Sequence, residues 1–152
     1  MPPLKPVPHV DVDKYMGTWH VIANIDNFFE RGVVASTETY TRRPDGKIDI
    51  MYRGHKGSAD GPEKTLPQTG WVDNVDTGSE WRVRPFWPLS FAYVIIDLAD
   101  DYSYSVVGYP SRKLVWIMAR DTQLPAATYD AILDRLKEQG YDLSQIQKVP
   151  QN

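Results

Sequence analysis

The strongest constraint on the fold of this chain is a tryptophan and an arginine that stand in the first and the last of its strand-like runs. Trp19 follows Gly17 at the start of the first apolar run, and Arg120 ends the last one. A strand that begins a sheet meets a strand that ends it only if the sheet curls back on itself. The two residues therefore predict a closed β-barrel.

The segment between residues 19 and 120 consists of short apolar or alternating runs separated by Gly, Pro, Asn and Asp, as is typical of all-β proteins. The connections carry turn chemistry, as in Pro44-Asp45-Gly46. The predicted strands lie near residues 18–26, 34–42, 47–54, 64–73, 79–86, 91–99, 103–109 and 113–120. Eight strands with short turns predict an all-β fold, an eight-stranded up-and-down antiparallel β-barrel with room for side chains and one small ligand.

The hydrophobic period changes towards the C-terminus. From Tyr129 to Leu136, apolar residues recur at i, i+3, i+4 and i+7, on one face of a helix. We predict a helix over residues 124–139, because Pro125 suits a first turn and Gly140 suits a stop. Its apolar face predicts packing on the outside of the barrel.

Composition limits the function classes. The 152 residues are predicted to form one domain, with an extended leader over 1–12 and a short closing strand near 146–149. A net charge of −3 with both signs dispersed argues against a nucleic-acid partner. The chain has no cysteine, which excludes disulfides, thiolate metal sites and a cysteine nucleophile. No apolar stretch approaches the roughly 20 residues of a membrane helix.

Catalytic patterns are missing from the sequence. His9, His20 and His55 are not spaced with acidic residues or with one another as metal ligands are. No nucleophile elbow, Walker loop or dinucleotide fingerprint occurs. We therefore predict no catalytic residue, no metal and no cofactor, and a protein that is not an enzyme.

Several motifs in this arrangement resemble those of the lipocalins, in particular the bacterial lipocalins and their apolipoprotein D-like relatives. The resemblance extends from about Val12 to Gln151. Asp100–Tyr102 stands where the family has Thr-Asp-Tyr. The other matching motifs are Tyr15–Trp19, Phe29–Gly32, Trp116–Arg120 and Gly140–Ser144.

The resemblance implies that the calycin-type barrel binds, stores or transports a small hydrophobic ligand, a fatty acid or a lysophospholipid, in maintaining the lipids of the cell envelope. It implies a periplasmic or outer-membrane-associated bacterial protein if a signal peptide has been removed; the alternative is a cytoplasmic protein. The expected partners are the lipid and a peripheral membrane surface, with the chain a monomer or weak homodimer. The alternative function is a structural or interaction barrel whose lumen is filled by side chains and whose apolar loops contact a membrane or partner.

Strand alternation predicts the residues that face the lumen. We expect Trp19 at the floor of the barrel, with its indole face on Arg120, in a structural role together with Gly17. If Trp19 points inward, then Val21, Ala23 and Ile25 of the same strand do so too. If Arg120 reaches Trp19, then Met118, Trp116 and Leu114 share its inward face. The resemblance places Tyr40 and Tyr93 inward. The predicted ligand-binding residues are Val21, Ala23, Phe28, Phe29, Tyr40, Phe86, Tyr93, Ile95, Trp116 and Met118.

Three positions leave alternatives open. Phe28 and Phe29 follow the first strand, and they are expected either to cover the barrel mouth, to touch a membrane or to pack on the rim. The segment 86–89 is a second apolar loop and a candidate membrane or dimer contact. Asp97 shares the inward parity of Tyr93 and Ile95, so it needs a buried partner, Arg120 or a tyrosine hydroxyl, unless a local bulge exposes it.

Overall fold

The computed structural model describes residues 2–86 and 88–152, so Trp87 in the predicted second apolar loop lies outside the described residues. The helices are α1, Val12–Tyr15, and α2, Ala126–Glu138, and a 3₁₀ turn spans Leu143–Gln145. The strands are β1 Gly17–Ile25, β2 Val33–Arg42, β3 Ile48–Lys56, β4 Glu63–Val72, β5 Glu80–Arg84, β6 Phe91–Leu98, β7 Tyr104–Gly108, β8 Val115–Ala119 and β9 Ile146–Lys148. Among these described residues, no helix is long and apolar enough to cross a membrane.

The sheet closes into a barrel. Strands β1 to β8 each pair antiparallel with the next, and β1 also pairs with β8, so that Trp19 lies opposite Glu38 and His20 lies opposite Ala119. The predicted eight-stranded up-and-down barrel is confirmed. β9 pairs antiparallel with the C-terminal end of β1, where Ala23 lies opposite Lys148.

The turns follow the predicted chemistry. Between β2 and β3, Gly46 has φ of +87°, a left-handed conformation that glycine adopts without a steric penalty. Its amide donates to the carbonyl of Arg43 at 2.9 Å. A tight connection of this kind joins neighbouring antiparallel strands at one end of the barrel.

Two separate hydrophobic cores stabilise the fold. The first fills the lower part of the lumen and includes Trp19, Trp81 and Ile95. The second lies between the barrel wall and α2, where Ile132 and Leu136 are buried against wall residues such as Ile117. The predicted external helix is thus confirmed, and its apolar face is the one the sequence spacing selects.

Strand β1 contains a bulge that reverses part of the predicted alternation. The pairing with β8 shifts between Val21, opposite Met118, and Ala23, opposite Ile117. A bulge inserts one unpaired residue and moves the following side chains to the other face. Ala23 and Ile25 therefore pack outside the barrel in the core beneath α2, and the expectation that they point inward is wrong.

Strand β6 has a second bulge, between Ile95 and Asp97. The bulge takes Asp97 off the inward face of Ile95, which is one of the alternatives that the sequence left open. The Asp97 carboxylate instead accepts hydrogen bonds from Arg135 Nε of α2 at 2.6 Å and from the Tyr104 hydroxyl at 3.3 Å. This ion pair, whose Asp97 side chain is 17% exposed, joins the helix to the barrel wall.

The leader crosses the end of the barrel that carries the β2–β3, β4–β5 and β6–β7 connections. Its amides at Val7 and Val10 donate to the carbonyls of Ile95 and Thr77 at 2.9 and 2.8 Å. The extended leader then ends in the helix α1, which was not predicted from the sequence. The signal was Asp11, whose side chain accepts from the amides of the first turn in the manner of a helix N-cap.

Candidate ligand-binding cavity

The leader end of the barrel, hereafter the floor, is closed by Arg120. Its guanidinium carbon lies 3.7 Å from the centroid of the Trp19 ring. The same group donates to the carbonyls of Lys14 and Met16 at 3.0 and 2.9 Å and to that of Thr18 at 3.0 Å. One side chain therefore ties β8 to the indole of β1 and to the segment that follows α1.

Gly17 lies next to the contact between Arg120 and Trp19. It has φ of +102°, and a Cβ at this position would stand 3.3 Å from Arg120 Nη1. A larger residue would be strained by its backbone and would press on the guanidinium. The structure thus brings together Gly17, Trp19 and Arg120, the residues expected to act structurally.

Aromatic rings fill the lumen above the floor. The rings of Trp81 and Tyr93 stack with centroids 4.9 Å apart, and Tyr15 packs edge-on to Trp81 at 5.4 Å. Tyr15 comes from α1, outside the strands, and is fully buried. These rings leave no room for a ligand in the lower part of the barrel, so an occupant must bind nearer the opposite end.

That upper part holds a cavity of about 230 Å³. Its wall is mostly apolar and carries no lysine, arginine or histidine among the described residues. It reaches the end of the barrel where the β1–β2, β5–β6 and β7–β8 loops lie, hereafter the mouth. The lining residues are Asn27, Phe28, Phe29, Glu30, Glu38, Tyr40, Ile50, Tyr52, Leu66, Gln68, Val83, Pro85, Phe91, Ala92, Tyr93, Tyr109, Leu114 and Trp116.

A chain of hydroxyl groups runs beneath the cavity and ends on Glu38. The Tyr40 hydroxyl donates to Glu38 Oε2 at 2.6 Å and lies 2.7 Å from the Tyr93 hydroxyl. Tyr15 links Tyr93 to Ser105 at 2.9 and 2.7 Å. Each hydroxyl has a single proton, so all of them donate in one direction, towards Glu38.

Burial raises the pKa of the Glu38 carboxyl to about 7, because little water reaches its charged form. The Tyr40 hydrogen bond opposes that shift, and the nearby Glu30 carboxyl adds to it. Burial likewise raises the pKa of Tyr40 and Tyr93, so both phenols stay neutral donors. Among the described residues, the bottom of the cavity therefore carries an acidic group and no cation that compensates its charge.

Glu30 anchors the loop between β1 and β2 at the mouth. Its carboxylate accepts hydrogen bonds from Trp116 Nε1 at 2.7 Å and from Asn27 at 3.0 Å, and a longer one from Asn24 at 3.3 Å. Burial raises the pKa of this carboxyl, and the three donors oppose the shift. The Lys64 ammonium donates to the carbonyl of Phe29 in the same loop.

The two phenylalanines of this loop, Phe28 and Phe29, differ in how far they are exposed. Phe29 packs edge-on to Phe28 at 5.8 Å and to Phe86 at 6.3 Å, so an aromatic group forms part of the rim. Phe28 also borders the cavity, yet 82% of its surface is exposed. Phe86, which was expected to bind ligand, lies on the rim and does not border the cavity described above.

The other expected ligand-binding residues fall into two groups. Tyr40, Tyr93 and Trp116 border the cavity together with Phe28 and Phe29. Val21, Ile95 and Met118 do point inward, but they are fully buried in the core below it. Ala23 lies outside the barrel, as described above.

The cavity wall formed by β3, β4 and β5 was not predicted from the sequence. Tyr52, Leu66 and Val83 come from strands that carry none of the family-like motifs, so no residue set their orientation. The signal was present in β3, where the buried residues Ile48, Ile50 and Tyr52 alternate with less buried neighbours. That alternation predicts one inward face.

A closed eight-stranded barrel with an external helix and an apolar cavity under one open end defines a binding protein for small ligands. Comparison with protein families shows to which family of binding proteins the chain belongs. The family described as the lipocalin-like domain matches residues 10–151, and the chain belongs to this family. Lipocalins are in general non-enzymatic proteins that bind small hydrophobic molecules.

Relatives extend over most of the chain. Temperature-induced lipocalin-1 of Arabidopsis thaliana is 31% identical, over 94% of this chain and 80% of the relative. The outer membrane lipoprotein Blc of Vibrio cholerae is 30% identical, over 97% of this chain and 86% of the relative. Apolipoprotein D of Macaca fascicularis is 26% identical, over 90% of this chain and 74% of the relative.

Solved structures agree in fold. Lobster apocrustacyanin A1 superposes with a TM-score of 0.75 at 14% identity, covering 93% of this chain and 80% of that chain. Insecticyanin from the tobacco hornworm Manduca sexta has a TM-score of 0.74 at 18% identity, covering 97% and 84%. At these identities the likeness describes the barrel and not its ligand.

Proposed function

We propose that the chain binds the acyl chain of a lipid, a fatty acid or a lysophospholipid, in the cavity at the mouth and so stores or transports it. The observation that carries this proposal is the apolar cavity of about 230 Å³ between Phe29, Leu66 and Trp116. Pockets of this kind, apolar with a few fixed polar groups, are typical of sites for small molecules. The polar end of the lipid then lies at the mouth, in water.

The alternative of a side-chain-filled barrel accounts for only part of the lumen. Aromatic rings occupy the lower part, as a filled barrel requires, whereas the upper part holds the cavity. An unfilled apolar space costs stability, because its lining loses dispersion contacts. A ligand that fills the space restores those contacts, which favours binding over a purely structural role.

The test is a titration of intrinsic tryptophan fluorescence with a lysophospholipid that carries a dodecanoyl chain. Trp116 borders the cavity, so binding should change the emission. Leu66→Glu should weaken binding at least about a hundredfold, because an unpaired carboxylate in an apolar cavity costs several kcal/mol when it is covered by lipid. Its neighbour Thr65 is exposed on the outside of β4, so Thr65→Glu is the matched control.

The proposal fails if wild-type protein shows no saturable change and if organic extracts of the protein purified from cells contain no lipid. It also fails if Leu66→Glu and Thr65→Glu bind the lysophospholipid equally well. Cooperative thermal unfolding of both variants establishes that the comparison is between folded proteins.

We also propose that the protein works at the cell envelope of a bacterium, in the periplasm or at the outer membrane, and touches lipid surfaces with its mouth. The Vibrio cholerae relative is an outer membrane lipoprotein, which supports the location. Support for the contact comes from Phe28, which is 82% exposed beside the cavity. A large apolar side chain in this position gains free energy when it enters a lipid surface.

Sedimentation with vesicles of phosphatidylethanolamine and phosphatidylglycerol tests the contact. Phe28→Ser should reduce the bound fraction about tenfold at limiting lipid, since burial of a phenylalanine contributes about 1.5–3 kcal/mol. Val75 is equally exposed, at 82%, in the β4–β5 turn at the floor end. Val75→Ser should bind vesicles as the wild type does, and a loss equal to that of Phe28→Ser would contradict a contact through the mouth.

A further inference from the structure

Glu38 is a buried carboxyl that no positive group neutralises. Its side chain borders the cavity, and 9% of its surface remains exposed. Because the residue lies on the inward face of β2, that remaining surface opens on the cavity. The Tyr40 hydroxyl and the Gln68 amide favour its charged form, but no lysine, arginine or histidine among the described residues acts on it. A buried carboxylate of this kind is stabilised by a partner of opposite charge.

A second carboxyl adds to the negative charge of the cavity. Glu30 also borders the cavity, and its repulsion contributes to the raised pKa of Glu38. The Lys64 ammonium offsets part of the Glu30 charge, but Lys64 does not border the cavity. Among the described residues, Glu30 and Glu38 are the only charged side chains of the cavity wall. The cavity is therefore negative as well as apolar, and its apolar wall strengthens the attraction of a cation.

Each carboxyl lies at the edge of an aromatic ring that borders the same cavity. The Tyr40 hydroxyl donates to Glu38 Oε2 at 2.6 Å, and Trp116 Nε1 donates to Glu30 Oε2 at 2.7 Å. Donation to an anion makes a ring more electron-rich, since hydrogen bonds polarise the groups that form them. The faces of such rings attract a cation within about 6 Å of the centroid. Carboxylates beside aromatic rings are the chemistry that recognises an ammonium group.

We propose that the cavity binds a compact organic cation, an amine or a quaternary ammonium compound, with its nitrogen beside Glu38 and its apolar part against the aromatic wall. The positive charge compensates the Glu38 carboxylate, and the apolar part fills the space of about 230 Å³. A neutral molecule of the same shape gains only the apolar contacts. An anion meets two carboxyls and, among the described residues of the wall, no positive side chain.

This inference rests on the proposed function in one respect, since both require that the cavity admits a ligand. It adds a charge class of ligand to that function. The lipid places its acyl chain in the cavity and its polar end at the mouth, so a cation that occupies the cavity should displace the lipid.

Phenyltrimethylammonium and tert-butylbenzene test the preference, because the two molecules share one shape and differ by one positive charge. Calorimetry and tryptophan fluorescence measure their affinities at pH 8, where Glu38, with a pKa of about 7, is mostly ionised. Wild-type protein should bind the cation about tenfold more tightly than the neutral molecule. The cation should also displace the dodecanoyl lysophospholipid. Glu38→Gln should lower the affinity for the cation about tenfold and leave that for tert-butylbenzene unchanged.

The pH dependence of binding identifies Glu38 as the charged partner, and in the wild type it needs no substitution. Neither probe titrates, whereas Glu38 ionises between pH 6 and pH 8. The affinity of wild-type protein for the cation should therefore rise about fivefold over this range, and that of Glu38→Gln should stay nearly constant. Glu30 is present in both proteins, and burial keeps the neighbouring phenols neutral by raising their pKa. These phenols are those of Tyr15, Tyr40, Tyr52 and Tyr93.

Glu63→Gln is the matched control, since it removes the same charge from an exposed carboxyl outside the cavity. It should leave both affinities as in the wild type. Equal affinity of wild-type protein for the two probes, or an unchanged ratio of the two affinities in Glu38→Gln, overturns the cation site. Lysophospholipid binding in that case leaves the proposed function standing. If neither probe nor the lysophospholipid binds, the cavity admits no ligand and both proposals fail.

Discussion

Arg120→Met should lower the free energy of unfolding by about 3 kcal/mol, the largest loss of stability that we expect from a single charged side chain in this barrel. The variant keeps the aliphatic stem but loses the contact with the Trp19 ring and the hydrogen bonds to the carbonyls of Lys14, Met16 and Thr18. Hydrogen bonds from a charged donor contribute about 1.5–3 kcal/mol each when buried, and partial exposure of the site reduces that sum. Urea unfolding at pH 7 measures the loss, and the midpoint of thermal unfolding should fall by about 6–12 °C.

Arg120→Lys separates charge from geometry. A lysine keeps the positive charge, but its single ammonium group cannot reach three carbonyls while covering the indole face. We expect it to recover less than half of the loss. Arg53 is the control, because it is exposed on β3 and stands 3.8 Å from Glu63. Arg53→Met should cost less than about 1 kcal/mol, and an Arg120→Met variant that is no less stable would contradict the structural role of the floor contact.

The barrel and its helix were predictable because their signals are local. Turn residues such as Gly46 mark the strand ends, and the spacing from Tyr129 to Leu136 marks the buried face of α2. The pairing of Trp19 with Arg120 then supplies the long-range contact that closes the sheet. These signals agree with one another, which is characteristic of sequences that specify one fold.

The two bulges were not predictable from local pattern. Residues 21–25 and 94–96 are almost uniformly apolar, because one side faces the lumen and the other faces the core beneath α2 or the leader. Without polar residues at alternate positions, a shift by one residue leaves no trace in the sequence. Ala23 was therefore assigned to the wrong face, and for Asp97 the bulge was only one of the alternatives.

The depth of the cavity was also not predictable from the sequence. It depends on how far the rings of Tyr15 and Trp81 fill the lumen from below, and Tyr15 belongs to the short helix that sequence analysis took for extended leader. As a result Ile95 and Met118 were assigned to the ligand, although they belong to the core. Side-chain volumes that meet across the barrel are a property of the packed structure and not of any one segment.

Glu38→Gln should remove a pH dependence of stability that the buried carboxyl imposes. Its pKa is about 7 in the folded protein and about 4.5 in the unfolded chain, for which we take the ordinary value. Between these values the folded state holds a proton that the unfolded state has released, so stability falls as pH rises through this window. Below it both states are protonated and the penalty is absent; above it the penalty is complete, at about 3 kcal/mol.

The measurement is urea unfolding of both proteins at pH 4 and pH 8. The stability of Glu38→Gln relative to wild type should increase by about 3 kcal/mol between the two pH values. The neighbouring Glu30 carboxyl, whose pKa burial also raises, is present in both proteins, so its contribution largely cancels. Tyr40, Tyr52 and Tyr93 also face Glu38, and because burial raises the pKa of each they stay neutral over this range.

Glu63→Gln provides the control, since Glu63 is an exposed carboxyl on β4. Its stability relative to wild type should change by less than about 0.5 kcal/mol over the same range. A Glu38→Gln difference that is constant between pH 4 and pH 8 would mean that water reaches the carboxyl and that its pKa is ordinary. Such a carboxyl would be hydrated, and water would screen its charge. The pH profile therefore tests the electrostatics at the bottom of the cavity without any ligand.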